Sequence, residues 1–192
     1  MKSTIIIFIL LINSAFAQVS TSTGIVFAKE YSKEISLYRA KAFVIQQILG
    51  ETNDAVKFDV DPLVASNSGE LTTLVYKCDS KSKVGLILGF NTTKWNPAGI
   101  VYQEYSFKNM TVKEANEFCE NIQIAIKVNA DYLEADHDNN NIYLNYTDLT
   151  VLVYKSSSGT KMRIFWNGYD AEWELSSFNK TVKRLKKEIN KY

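Results

Sequence analysis

The chain has 192 residues, with 22 Lys plus Arg against 21 Asp plus Glu, two Cys and one His. Such a balanced charge lacks the basic excess from which nucleic-acid binders draw most of their affinity, and one His with two distant Cys makes no recognisable zinc site. The length suits one domain and is enough for a hydrophobic core without a disulfide framework.

Lys2 precedes an apolar run, Ile5–Ile12, and Ala15-Phe16-Ala17 puts small residues at the two positions a signal peptidase reads. The run falls short of the roughly 20 apolar residues that span a bilayer. Residues 1–17 therefore read as a secretory signal peptide, and no Cys follows them to carry a lipid. The expected mature protein begins near Gln18. It is soluble, secreted or periplasmic, and has no transmembrane segment after cleavage. Removing residues 1–17 takes away Lys2 alone and leaves cations and anions equal at 21.

Residues 18–30 form a polar Ser/Thr-rich leader, and residues 31–192 a single domain with half-units of about 51–130 and 131–192. Glu34–Leu49 places Ile35, Tyr38, Ala42, Ile45 and Leu49 at helical spacing, with Gly50 as a stop. Val56, Phe58 and Val60 alternate like a strand that Asp61-Pro62 should end. Leu71–Lys77 (LTTLVYK) is a strand, Val84–Phe90 a second and Ile100–Phe107 a third, with Trp95–Gly99 interrupting the last two. Thr111 and Glu114 form a capping-box pattern that opens a helix to about Lys127, with Ala115, Phe118, Ile122 and Ile126 as its stripe. Ala130–Ala135 and Ile142–Tyr146 read as a hairpin around the polar 136–141 loop.

Leu149–Lys155 (LTVLVYK) repeats Leu71–Lys77 at six of seven positions, 78 residues later. A fixed-offset echo followed by the same order of elements marks an internal repeat. Thr160–Trp166 and Asp170–Leu175 flank Asn167-Gly168, the pair that suits a type I′ turn. That turn sets 166 opposite 169 and 164 opposite 171. Met162, Ile164, Ala171 and Trp173 then share an apolar face, while Lys161, Arg163, Phe165, Asp170, Glu172 and Glu174 share a charge-paired one. Ser176 or Ser177 should cap a last helix with the stripe Phe178, Val182, Leu185 and Ile189.

The expected class is α+β: an antiparallel sheet built from two β-β-β-α-type half repeats plus an N-terminal helix, with helices packed on the sheet. In outline this is similar to the tandem units of TATA-binding-protein-like and Pur-type or whirly folds. No motif of those families is matched residue by residue. Export, zero net charge and the neutralised hairpin face also argue against their nucleic-acid role.

Chemistry-bearing motifs are sparse. His137 lies in a polar turn, with no Gly-x-Ser-x-Gly elbow to partner it. Asp136, Asp138 and Asn140 take positions 1, 3 and 5 of a calcium loop, but Asn141 and Thr147 replace the required Gly and bidentate Glu. No phosphate loop or cofactor motif appears. Asp59, Asp61, Glu70, Glu172 and Glu174 supply carboxylates for a hydrolase, at distances that sequence does not give. Cys78 and Cys119 are disulfide candidates in an oxidising compartment, with two buried free thiols as the alternative. Sequons stand at Asn91, Asn109, Asn145 and Asn179.

The remaining binding candidates are Trp95, an aromatic in an irregular segment that the second half lacks, and the basic run Lys183, Arg184, Lys186 and Lys187. That run would suit an anionic envelope or extracellular protein or polysaccharide, or would be a solvated helix face. The functional expectation is an exported non-catalytic binding or interaction domain. A carboxylate-based hydrolase and a small-ligand or lipid carrier are the alternatives. On expression in a secreting host, N-terminal sequencing of the exported protein should begin at Gln18; a start at Met1 would overturn the signal-peptide reading.

Overall fold

The structure, a computed structural model, describes residues 36–136 and 139–189. The signal peptide, the 18–30 leader, His137 and Asp138 lie outside the described residues. Residues from Ala40 onward form one compact unit; the unit before it ends at Arg39 and is described only over 36–39, within a helix. No helix among the described residues is long and apolar enough to cross a membrane.

Helix α1 covers residues 36–49, and its last six residues, Val44–Leu49, widen into a π-helical turn closed by Gly50 N–H on Ile45 O at 3.0 Å. Four antiparallel strands follow: β1 (Asp59–Ala65), β2 (Leu71–Cys78), β3 (Lys83–Trp95) and β4 (Val101–Thr111). Helices α2 (Val112–Val128) and α3 (Ala130–Ala135) lead to a second sheet of β5 (Asn141–Tyr146), β6 (Leu149–Ser156), β7 (Gly159–Trp166) and β8 (Tyr169–Glu174), and α4 (Leu175–Ile189) ends the domain. Each sheet keeps its strands in chain order. The class is α+β, and the repeated heptad is the second strand of each sheet.

The two half repeats are each built as a four-stranded antiparallel sheet of its own. The strand expected over Val56–Val60 is β1, which starts at Asp59 and runs on to Ala65. Pro62 does not break it, because β1 is an edge strand, where a missing N–H costs no ladder bond. The register instead shifts between Pro62 and Val64. The Ala130–Ala135 segment is the helix α3, so the hairpin expected there is absent. α4 starts directly after β8 at Leu175, which puts Ser176 and Ser177 inside its first turn, not at its cap.

Strand alternation divides the first sheet into two faces. Leu71, Val75, Leu86, Leu88, Phe90 and Met110 point one way, into a core shared with Val151, Val153, Met162, Ile164, Ala171 and Trp173 of the second sheet. Phe118 and Ile122 of α2 and Phe178, Val182 and Leu185 of α4 fill the same core. Both helices also reach across. α4 lies against β1 and β2 as well as β7 and β8, and α2 against β5 as well as β3 and β4. The capping box forms as expected, with Thr111 N–H on Glu114 Oε2 at 2.7 Å and Glu114 N–H on Thr111 Oγ1 at 3.2 Å.

The other face of the first sheet carries Leu74, Tyr76, Cys78, Ile87 and Phe107, all buried. Residues 40–49 of α1 cover it. Ala40 and Val44 are fully buried, the Phe43 ring lies 5.6 Å from that of Phe107, and Lys81 Nζ caps Leu49 O at 2.7 Å. This layering overturns the proposed disulfide. Cys78 points to the α1 side and Cys119 to the core side, so the sheet stands between them and both thiols are free and buried.

Gly85 and Gly89 make the α1 face possible. A Cβ on Gly85 would overlap Met110 O and stand 2.7 Å from Tyr76 Oη, whereas one on Gly89 would meet Phe107 at 3.2 Å. Gly85→Ala should therefore cost about 2–3 kcal/mol, near the upper end for overpacking, and Gly89→Ala about 1 kcal/mol or less. Urea denaturation of the two variants checks both the sign and the order.

Candidate functional site

β3 and β4 run to 13 and 11 residues, while their counterparts β7 and β8 have 8 and 6. β2 pairs with β3 only as far as Phe90. Beyond it, the five pairs from Asn91–Tyr105 to Trp95–Val101 form a two-stranded arm, about 15 Å long at the usual rise per residue. A lone two-stranded ribbon is marginal in water, so the arm needs support from elsewhere.

Aromatic and charged groups of the second sheet supply it. The Phe90 ring lies 5.6 Å from Trp166 and 6.5 Å from Tyr169. Lys94 sits 4.8 Å above the Tyr169 ring and pairs with Glu104. The hydrogen bond from Lys94 holds the Glu104 carboxyl below its ordinary range, and the nearby Tyr169 hydroxyl acts in the same direction. At the root of the arm, Asp148 accepts from Lys108 Nζ at 2.9 Å and from Trp166 Nε1 at 2.8 Å. Desolvation pushes the Asp148 pKa up, but the bonds from Lys108, Trp166 and Thr147 outweigh it and leave the carboxyl at about 2.

The tip is built on Asn96. Its N–H donates to Ile100 O at 3.0 Å, its carbonyl accepts from Gly99 N–H at 2.9 Å, and its side-chain Oδ1 accepts from Ala98 N–H at 3.0 Å and Ile100 N–H at 2.8 Å. Pro97 has no N–H, and Gly99 takes a φ of 75° that favours glycine. Every N–H from Asn96 to Ile100 is thus bonded within the turn. Around this closed turn the apolar side chains face water: Trp95 is 71% exposed, Ile100 61%, Val101 48% and Tyr102 43%. No residue from Trp95 to Gln103 is charged.

Trp95 is the one sequence-derived binding residue at this tip. Ile100, Val101 and Tyr102 escaped the sequence reading because 100–107 reads simply as a strand, and a strand's apolar residues are expected to find cover. The usable signal was the uncharged run from 95 to 103.

The basic residues of α4 do not form one surface. Arg184 donates to Leu63 O at the irregular edge of β1, and beside it Lys187 lines a small hollow with Asp61 and Glu188. Lys186 turns instead to a groove of about 460 Å³ between α2 and α4, shared with Cys119, Glu120 and Gln123. Lys183 is exposed. Burial raises the Cys119 thiol to about 12, so it is no nucleophile at neutral pH.

Glu70 and Glu174 are occupied in holding the two sheets together, whereas Asp61 lines the hollow beside Lys187. Glu70 Oε2 accepts Glu172 N–H at 2.8 Å, and both oxygens of Glu174 accept Asn67 N–H, at 3.0 and 3.1 Å. Glu172 is kept anionic by Lys161 at 2.9 Å and also accepts from Tyr154 Oη at 3.0 Å. Of the weak calcium set, Asp138 lies outside the described residues. Asn140 donates to Tyr132 O at 2.6 Å, and Asn139 to Asp136 Oδ2 at 2.9 Å, bonds that close the loop after α3. Among the described residues no cluster of three His, Cys, Asp or Glu could hold a metal. The Asn91 sequon amide is engaged with Gly69 O at 3.3 Å.

Compared with family models, with curated proteins and with solved structures, the chain finds no match.

The Asp148 bracket has a pH signature. Its folded pKa of about 2 lies below the ordinary 3.8. Its contribution is therefore complete above about pH 4 and fades as pH falls from there towards 2. Asp148 is half exposed, so that contribution should stay below about 1 kcal/mol. Asp148→Asn should lower stability at pH 7 and flatten the acid limb between pH 4 and 2, as read by thermal melts across that range. An acid limb as steep as wild type would show that Asp148 is not responsible.

Proposed function

We propose that the protein is an exported, non-catalytic binding protein and that the tip of the β3–β4 arm is its contact element. The observation that carries this reading is the exposure of Trp95, Ile100, Val101 and Tyr102 at the end of a braced arm. Exposed apolar groups clustered together mark interaction sites. Bracing supports the same reading, because a contact element held in place loses less conformational freedom on binding. Zero net charge after removal of residues 1–17 favours apolar recognition over electrostatic capture.

The alternatives have less support. A carboxylate hydrolase needs one carboxyl able to donate a proton. Glu70, Glu172 and Glu174 are instead committed to backbone N–H groups or to Lys161. A carrier needs a largely apolar enclosed cavity, and the groove between α2 and α4 mixes Asn116, Glu120, Gln123 and Lys186 with Val182 and Leu185.

The test compares the immobilised mature protein with its Trp95→Ala/Ile100→Ser variant. Each is incubated with an envelope and secreted extract of the source organism, and retained lipids and proteins are both quantified. Wild type should retain material that the variant loses, while the melting temperatures agree. Equal retention by both, or turnover of a panel of esters and glycosides, would sink the binding reading.

A further inference from the structure

The shape of the tip says more than that it binds. The arm is a β-ribbon, so its side chains alternate between two sides. Trp95 and its cross-strand partner Val101 point to one side, Tyr102 to the other, and Ile100 sits in the turn. All four are exposed, so the tip is apolar at its end and on the Trp95–Val101 side, and carries Tyr102 on the other side beside Lys94, whose ammonium is turned back to Glu104. A protein partner docked on one side would leave the other in water. A medium that surrounds the tip would cover all of it.

The backbone agrees. In a bilayer, an N–H without a partner is expensive, because no water is there to receive it. At this tip the four N–H groups from Asn96 to Ile100 are bonded inside the turn, two of them to Asn96 Oδ1, and the fifth residue is Pro97. Charge agrees as well. The residues from Trp95 to Gln103 are uncharged; Lys94, the cross-strand partner of Tyr102, reaches back to Glu104 and over the Tyr169 ring. Trp and Tyr favour the headgroup boundary, and a Lys just behind them lies at the level of the phosphates.

We propose that the β3–β4 tip inserts into the interfacial layer of a lipid bilayer, with Trp95, Ile100 and Val101 as the inserting groups, Tyr102 at the headgroup boundary and the Lys94–Glu104 pair as the stop. The proposal rests on the binding reading above and names its partner as a zwitterionic lipid surface. Insertion is shallow, because the apolar part ends within a few residues of the turn. It is driven by apolar burial and does not require anionic lipid.

Flotation of the full mature chain with phosphatidylcholine vesicles tests it. Wild type should float with the vesicles, equally at low salt and at about 1 M salt, where the screening length is about 3 Å. Trp95→Ala/Ile100→Ser should lower the bound fraction at limiting lipid by roughly tenfold or more. Lys183→Gln/Lys187→Gln should float like wild type. The proposal is overturned if wild type stays in the soluble fraction, if it floats only with anionic vesicles and is released by salt, or if the tip variant floats equally well. Should wild type ignore vesicles and still retain a protein from extract through its tip, the lipid proposal falls and the binding reading stands.

Discussion

Neither sheet closes its own core. Each four-stranded sheet bares one apolar face, and the helix at the end of each half seals part of the other half too. α4 brings Phe178 against Trp173 of its own sheet, ring centroids 5.0 Å apart, and Thr181 against Thr73 of the first sheet, Oγ1 to Oγ1 at 2.9 Å. The open edge of β8 depends on the same reciprocity: Glu70 receives Glu172 N–H, and Glu174 receives Asn67 N–H. Separating the halves would expose both apolar faces and strand buried polar groups, each costing about 1–3 kcal/mol. The arm rests on this junction, because Trp166 and Tyr169, which brace it, stand where the two sheets meet.

The repeated heptad shows how far environment outweighs local sequence. Leu71, Thr73 and Val75 and their counterparts Leu149, Val151 and Val153 all face the shared core and are all buried. The alternate positions diverge. Leu74 and Tyr76 are buried under α1, and Tyr76 lies on Gly85. Leu152 and Tyr154 are only partly buried, and Tyr154 donates to Glu172 in the ion ladder on the outer face. One added helix thus turns a half-exposed face into a second small core. Cys78 is buried on this face, with the sheet between it and Cys119.

How far the fold could be read depended on whether a signal was local. Asn167-Gly168 sets two consecutive positive φ values, 48° and 76°, and with them the β7–β8 register, which matches expectation pair by pair. Even there, the ion pairs run diagonally. Arg163 bonds Asp170 and Lys161 bonds Glu172, which leaves Glu174 free to reach Asn67. The continuation of β1 beyond Val60 was hidden because Pro62 reads as a breaker unless the strand is known to lie at an edge. α3 was hidden because its six residues are too few to show a helical period. At the arm, Trp95 was legible as an aromatic in a turn. The exposure of Ile100 to Tyr102 was not, since it follows from β2 ending at Phe90 and leaving the ribbon uncovered.

Period, turn chemistry and caps act over a few residues, so the sequence by itself determined most strands, helices α1, α2 and α4, the duplicated order and the Asn-Gly register. Which face each strand buries against what is set by residues a hundred positions away. The tertiary structure alone decided that there are two sheets and not one, that the cysteines lie on opposite sides of a sheet, and that α4's cations point to different surfaces. It alone also left the apolar end of one hairpin without a neighbour among the described residues. Hydrophobic burial carries no address along the chain: an alternating strand must cover one face, but only the assembled fold says which strands run past their cover.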